Sequence, residues 1–518
     1  MLRGLRNLNR LWTIARCLAR HDALTYIEEH PAGRTAARMA QRLWSPHKSV
    51  KGLRPGQRLA LALTTLGPTF IKFGQALSTR ADLLGEQGAA DLAELQDRLP
   101  PFAFADAKAT IEDDFGVELS ALFESFDESP VAAASIAQVH FAVTTDDREV
   151  AVKVLRPGVK QAFARDVDVL FWLAEWAEHL MPKLRRLKPV EIVRTFEETA
   201  RVEMDLRLEA AAAEELAENF ADDETFRVPA VDWQRTSERV LTLERVAGAR
   251  IDSNGAVAAI GADPIAVVKT AAEVFFKMVF HHGFFHADMH PGNLFVTADG
   301  VIIAMDFGIM GRVDAATQKT LGEMLLGFLT RDYRKVAEAH LRAGFVPDHK
   351  SVDNFAQACR SIAEPILGKP ISDISIARLL GQLFQITETF EMQTQPQLLL
   401  LQKSMLLAEG VGRTLAPDVN MWELAKPMIE TWMRERLGPE AVITDAAANM
   451  VSTLEKLPRI IDRVDAATAE IAKGGLKLHP ETARALRGES SDAAARRRWP
   501  AWTPWLIAAG LLAALILG

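Results

Sequence analysis

Three oxygen-bearing side chains punctuate one short stretch of the chain: Asp288, Asn293 and Asp306. Carboxylate and amide oxygens are ligands for hard divalent cations, and such cations bind phosphate esters in turn. Asp288 and Asn293 stand in His286-Ala287-Asp288-Met289-His290-Pro291-Gly292-Asn293, and Asp306 opens Asp306-Phe307-Gly308. Between them lie two apolar runs, Leu294-Phe295-Val296 and Val301-Ile302-Ile303-Ala304-Met305, around a polar turn at Thr297–Gly300. That pattern predicts a β-hairpin. One loop precedes the first strand and another follows the second. A hairpin therefore brings all three oxygens to one end of a small sheet.

The spacing Asp-x₄-Asn, with Asp-Phe-Gly thirteen residues after the Asn, resembles the catalytic and metal loops of protein kinases. In that scheme Asp288 receives or orients the nucleophile's proton, while Asn293 and Asp306 hold Mg²⁺ against the phosphates of ATP. His281, His282, His286 and His290 suggest a metal cluster as an alternative. Zinc sites favour His and Cys at fixed spacings, and the only cysteines, Cys17 and Cys359, lie far away in sequence. The simpler expectation is that His286 braces the loop by hydrogen bonds.

Other elements must hold the nucleotide. Pro130–Phe141 includes Ala132-Ala133-Ala134-Ser135, small residues where a kinase has a glycine-rich turn. Backbone amides can approach phosphates where little side chain intervenes. Alanine is stiffer than glycine, so this turn should hold nucleotide in its own way. Glu149–Leu155 reads as an apolar strand carrying one lysine, Lys153. An unpaired ammonium inside a protein is costly, so Lys153 needs an acid or a phosphate. Glu209, in the helical run Glu191–Phe220, is the expected partner. Arg239–Gly248 reads as a strand ending in a turn, and suits a hinge whose backbone near Glu244 and Val246 bonds adenine. Further upstream, Pro68–Arg80 should be a helix with Phe70, Phe73 and Leu77 on its apolar face and Lys72 and Gln75 on a shared polar one. Pattern alone would leave that polar pair solvated.

Downstream of Asp306-Phe307-Gly308, helical sequence begins almost at once. The long activation segment of an ordinary kinase, ending in Ala-Pro-Glu, is not visible. Residues 315–475 read as a helical lobe. At the C-terminus, Arg496-Arg497-Arg498 and three tryptophans precede a wholly apolar or small run from Leu506 to Gly518. A bilayer span needs ~20 apolar residues, and 502–518 just reaches the lower limit. Arginines beside tryptophans suit a cytoplasmic-side interfacial belt. A greasy helix buried in a homodimer, or re-entrant in one leaflet, is the alternative. Residues 1–20 form a basic amphipathic helix, which either lies on an anionic membrane or docks on the protein's own body. A transit peptide fits less well, because Asp22, Glu28 and Glu29 follow.

Bulk properties agree with a globular intracellular protein. The 518 residues are 49% hydrophobic and 25% charged. A net charge of −8 does not favour nucleic acid as a partner. Two isolated cysteines fit a reducing compartment.

Taken together, Lys72-Phe73-Gly74-Gln75, the alanine turn, Val-Ala-Val-Lys153, Glu203-Met204-Asp205, Glu209, His286–Asn293 and Asp306-Phe307-Gly308 resemble the UbiB family of atypical kinases of ubiquinone biosynthesis. The Lys-x-Gly-Gln helix and the alanine turn are specific to that family. The other motifs are shared with kinases at large. The resemblance implies an α+β, protein-kinase-like, two-lobed fold. Its expected parts are a basic helix (1–30), a helical extension (50–120), an N-lobe (121–248), a C-lobe (249–440), a tail and linker (441–495) and a membrane anchor (499–518). Lys72 and Gln75 would then project into the site, with Glu203 and Asp205 meeting them from the N-lobe. It further implies an ATPase or kinase at the bacterial inner membrane, with membrane lipid, quinone precursors and other quinone-biosynthetic proteins as partners. A protein kinase acting in trans and a nucleotide-gated scaffold are the alternatives. Nothing in the sequence supports a flavin or iron site.

Overall fold

The computed structural model describes residues 2–24, 39–40, 42–78, 81–93, 95, 99–180, 188–251, 255–367, 421–437 and scattered positions within 382–420. The tail and linker expected over 441–495 and the anchor expected over 499–518 lie outside the described residues. Among the described residues no helix is long and apolar enough to cross a membrane. The chain divides into two units, Met1–Arg434 and Glu435–Gly518, and the site lies in the first.

Strands β1 (Phe123–Phe126), β2 (Ala132–Ala133), β3 (Ala137–Thr144) and β4 (Glu149–Leu155) join β6 (Val240–Glu244) in one antiparallel sheet. Its order is β1-β3-β4-β6, with β2 pairing on β3. Side chains alternate between the two faces of a strand. On β4, Val150, Val152 and Val154 pack with Ala107 and Ile111 of a helix on the outer face. Leu155 joins Leu206 and Ala210 on the inner face. Lys153 shares the parity of Leu155 and so points inward, between buried neighbours.

A second sheet, ordered β5-β10-β9-β7, is built from β5 (Phe226–Arg227), β7 (Ala249–Arg250), β9 (Leu294–Val296) and β10 (Ile302–Ala304). The predicted hairpin is its centre: β9 and β10 are antiparallel, with Ile303 opposite Phe295. β8 (Phe284–His286) pairs with β11 (Met310–Arg312), so His286 lies opposite Met310.

Helices cover these sheets. The N-terminal extension contributes α1 (Leu2–Arg20), α2 (Pro55–Leu66), α3 (Pro68–Ser78) and α4 (Ala81–Ala93); α5 (Phe104–Phe115) covers the outer face of the first sheet. α6 (Val159–Leu180), α7 (Pro189–Glu203) and α8 (Leu206–Asn219) follow β4. The single helical run expected over Glu191–Phe220 is thus two helices. Met204 ends α7, and Asp205 caps α8 by accepting the Arg207 N–H at 3.2 Å. A side-chain cap of this kind contributes about 1 kcal/mol. α9 (Pro264–Phe276) leads toward β8, and α10 (Ala315–Leu329), α11 (Tyr333–Arg342), α12 (Val352–Ala363) and α13 (Met421–Leu437) complete the helical lobe.

Of the two readings of the N-terminal helix, docking on the body is the one observed. Ile14 and Cys17 pack with Ala62, Leu63 and Leu66 of α2. Arg10 grips Asp166 of α6 through two bonds of 2.6 and 2.8 Å and the Leu66 carbonyl at 3.1 Å. Among the described side chains of α1, the exposed ones form one stripe, Asn9, Trp12, Arg16 and Arg20.

Between α9 and β8 the chain makes one π-helical turn, Lys277–His282. Carbonyls there are taken up by side chains: Trp432 Nε1 donates to Phe280 O at 2.7 Å, and Gln318 Nε2 to Val279 O at 2.8 Å. Gly283 ends the turn at φ 64°, and a Cβ there would stand 2.5 Å from the Val313 carbonyl. Both the left-handed backbone and the close approach require glycine. We expect Gly283→Ala to destabilise the fold by roughly 2–3 kcal/mol in a denaturant melt, since neither conflict can be relieved by a rotamer change; a change under about 0.5 kcal/mol would contradict this account of the turn.

Candidate active site

Lys153 is the focus of the site. Its Nζ donates to Glu209 Oε1 at 2.7 Å, Glu209 Oε2 at 2.9 Å and Asp306 Oδ1 at 2.9 Å. The expected lysine–glutamate pair is therefore present, and the aspartate of Asp-Phe-Gly joins it. The lysine side chain is 19% exposed and the glutamate 6%. Burial by itself lowers the pKa of the ammonium, but Asp306 and Glu209 outweigh it and raise it. Lys153 holds the Asp306 carboxyl far below the ordinary range, with Lys72 acting in the same sense. One ammonium cannot neutralise two carboxylates equally. Burial pushes Glu209 up, to about 7, against the pull of Lys153.

The two loops around the hairpin are knitted through one residue, Met305. Its N–H donates to Asn293 O at 2.8 Å, and its carbonyl accepts from His286 Nε2 at 3.1 Å. His286 Nδ1 in turn accepts the Asp288 N–H at 3.1 Å. An acceptor at Nδ1 and a donor at Nε2 define a neutral ring with its proton on Nε2. Burial lowers the His286 pKa and keeps it so. Asn293 Nδ2 donates to the Asp288 carbonyl at 3.1 Å, which ties both ends of the first loop together. Asp306 itself sits at φ 62°. That left-handed backbone costs on the order of 1 kcal/mol for a non-glycine residue, least for Asp and Asn. Phe307, 1% exposed, packs edge-on to the His286 ring and anchors the turn. The other histidines of the stretch are engaged elsewhere: His290 caps the Pro291–Asn293 turn, and His282 lies against the Phe220 ring. Among the described residues no cluster of three or more His, Cys, Asp or Glu is arranged to hold a metal ion.

The extension reaches the site through α3. Lys72 Nζ lies 2.9 Å from Glu203 Oε2 at the end of α7, with both side chains largely buried. Gly74 is where α3 meets its neighbours; a Cβ would stand 2.6 Å from Leu95 Cδ1 and 2.7 Å from Leu63 Cδ1. The glycine of the Lys-x-Gly-Gln motif thus serves packing, and the lysine pairs with Glu203. Gln75 is half-buried on the same helix. Asp205 does not meet the extension as expected. It caps α8 and binds the Arg207 guanidinium at 2.7 and 2.9 Å.

Ala132 and Ala133 form β2, and Ala134 and Ser135 lie in the turn that leads into β3. Glu244 ends β6, where its carboxylate accepts from Arg227 and from the Ala230 N–H. Val246 follows in the link from the first sheet to β7. That link passes so close to β9 that a Cβ on Gly248 would be 2.9 Å from the Val296 carbonyl. Sequence reasoning missed Arg156, which binds the alanine turn, and Met305, which joins the two loops. An arginine directly after an apolar strand was a weak signal for the first; a backbone role leaves none for the second.

Two lobes, a lysine–glutamate pair linking sheet to helix and a paired Asp…Asn and Asp-Phe-Gly loop define an atypical kinase-like protein. Residues 94–340 match the ABC1 atypical kinase-like domain, and residues 359–420 match the UbiB helical domain. The chain is 42% identical to the probable protein kinase UbiB of Pseudomonas putida, over 90% of its own length and 91% of the relative's. It is 41% identical to the protein of that name from Marinobacter nauticus, over 86% and 82%. It belongs to the UbiB family of atypical kinases. Among solved structures it resembles the Mycobacterium tuberculosis protein Rv3197, in complex with erythromycin, with 25% identity and a TM-score of 0.50 over 68% of this chain and 90% of that one.

The neutral state of His286 has a consequence for stability. Burial holds His286, His140 and His340 below the ordinary histidine range. Their stabilising effect is full above the unfolded value near ~6.5 and is lost as pH falls through it, by up to about 1.4 kcal/mol per unit and group. We expect the melting temperature to fall between pH 7.5 and pH 5.5, and to fall less in His286→Gln. Equal falls in parent and variant would contradict the neutral assignment.

Proposed function

We propose that the chain binds Mg-ATP and turns it over at the cytoplasmic face of a bacterial inner membrane, in support of ubiquinone biosynthesis. The acceptor or activator is a lipid-like quinone precursor. The observation that carries this is Lys153, held between Glu209 and Asp306 on the inner face of the sheet. The donor set fits the cofactor. Asp306 is ionised, and Asn293 spends its amide N–H on Asp288, which leaves amide oxygen character for a cation. Lys153 and Lys72 supply two positive charges against Asp288, Glu203, Glu209 and Asp306, a deficit that a divalent ion offsets.

Bound Mg²⁺ would neutralise charge on the phosphates. The chain's own residues do the rest. Lys153 would orient the α- and β-phosphates, its rotamer fixed by Glu209. Asp288, held by His286 and Asn293, would accept the nucleophile's proton. The turn at Ala132–Ser135 would cover the phosphates, and the backbone near Glu244 and Val246 would take adenine. Positioning and charge neutralisation are the main sources of rate in phosphoryl transfer.

A lipid-like acceptor is favoured over a protein acting in trans by two features. α3 places Lys72 beside the site, and only Val313 and Asp314 separate β11 from α10, too short a link to serve as an activation segment under a peptide. Membrane association is supported by charge segregation. Residues 1–60 hold twelve Lys and Arg against three acids, in a chain of net charge −8. Trp12, 41% exposed on the stripe with Arg16 and Arg20, stacks edge-on with Trp44. Aromatic and basic side chains together suit an anionic interface.

The test is ATP turnover by the full chain, with and without phosphatidylglycerol vesicles. Parent turnover should require Mg²⁺ and rise on vesicles. Asp306→Asn keeps a residue that tolerates the left-handed backbone, so it should fold, yet lose at least about a hundredfold in turnover under both conditions. Full Mg²⁺-dependent activity in Asp306→Asn would overturn the assignment.

A further inference from the structure

Arg156 follows β4 and has no role in the site as described. Its position is nonetheless specific. The turn that links β2 to β3 is closed by Ala134 N–H donating to Ala137 O at 2.8 Å. The three carbonyls inside that turn all accept from Arg156. Its Nη2 donates to Ala134 O at 3.5 Å, its Nε to Ser135 O at 3.3 Å, and its backbone N–H to Ile136 O at 2.7 Å. The same guanidinium donates to Pro100 O at 3.0 Å and lies 5.1 Å from the centre of the Phe102 ring. Phe102 is tied to the sheet in turn, its N–H donating to Gln138 Oε1 at 3.0 Å.

The face on which this happens matters. Val152 and Val154 of β4 point to α5, and Pro100 and Phe102 lead directly into α5. The guanidinium is therefore on the outer face, opposite Lys153 and Glu209. A trans peptide is planar, with its C=O and the next N–H pointing in opposite directions. Drawing the Ala134 and Ser135 carbonyls outward turns the N–H groups of Ser135 and Ile136 inward, to the side of Lys153. Successive amides aimed at one point make an anion-binding concavity. In a glycine-rich turn, free backbone rotation lets amides find a phosphate. An alanine turn lacks that freedom and has to be set in advance.

We propose that Arg156 is a positioning residue for the nucleotide phosphates: by holding the Ala134 and Ser135 carbonyls on the outer face, its guanidinium fixes the alanine turn with its amides directed inward. The same contacts join that turn to the Pro100–Phe102 segment, through which the helical extension enters the fold. This rests on the reading that ATP lies beneath the turn.

The test compares ATP and adenosine binding by the full chain in Arg156→Met and Arg156→Lys. Each amide-to-phosphate bond is charge-assisted, so Arg156→Met should weaken ATP binding about tenfold or more while leaving adenosine within about twofold. Turnover at saturating ATP should change less than about threefold, so the effect appears in KM. Arg156→Lys, which keeps the charge but not the fork, should fall between parent and Arg156→Met. Parallel loss of ATP and adenosine affinity would mean a merely structural role and overturn the proposal. So would unchanged ATP affinity in a folded Arg156→Met. A parent chain that binds no ATP would overturn both this proposal and the nucleotide reading beneath it.

Discussion

An ammonium group withdrawn from water must be paired, and in this fold the pairing of Lys153 sets the positions of three elements. The lysine is on the central strand of the first sheet, Glu209 on the helix packed against it, and Asp306 on the loop after the hairpin of the second sheet. Removing Lys153 would leave the buried Glu209 carboxylate and its neighbour Asp306 without their cation, which costs far more than the net worth of the contact. The triad is also unbalanced, two carboxylates sharing one cation. Burial, with Asp306 adding to it, pushes Glu209 up against the pull of Lys153, while Lys153 keeps Asp306 ionised. The same group thus ties the two sheets together and sets the charge of both carboxylates.

Around this triad the structure spends polar contacts on geometry. His286, Met305 and Asn293 fix the two loops to one another through backbone groups, which sets the place of Asp288 relative to Asp306. The extension adds a second lysine, held by Glu203, whose charge already reaches Asp306. Its approach depends on Gly74, because a side chain there would push α3 off Leu63 and Leu95. A helix that would be a peripheral addition in another kinase-like protein is here part of the electrostatics of the site.

Much of this was legible in sequence because chemistry and spacing coincide in the hairpin. The two apolar runs around Thr297–Gly300, the lysine in an apolar strand and Glu209 on a helix each carry a local signal. The break between α7 and α8 was not legible, since Met204-Asp205 contains neither glycine nor proline, and Asp205 acts there as a cap instead of reaching the extension. The docking of α1 was undecided for a related reason. An amphipathic basic helix looks the same whether its apolar face meets lipid or α2, and long-range contacts such as Arg10–Asp166 and Ile14 against α2 are what distinguish them. The roles of Met305 and of the Arg156 backbone are invisible to side-chain pattern, because main-chain groups do that work.

The most direct measurement is a structure of the full chain with Mg²⁺ and a non-hydrolysable ATP analogue. The account predicts Lys153 Nζ within about 3.2 Å of both Glu209 and an α- or β-phosphate oxygen, with the metal coordinated by Asn293 and Asp306. A nucleotide bound away from Lys153, or a metal held by neither of those two residues, would contradict it.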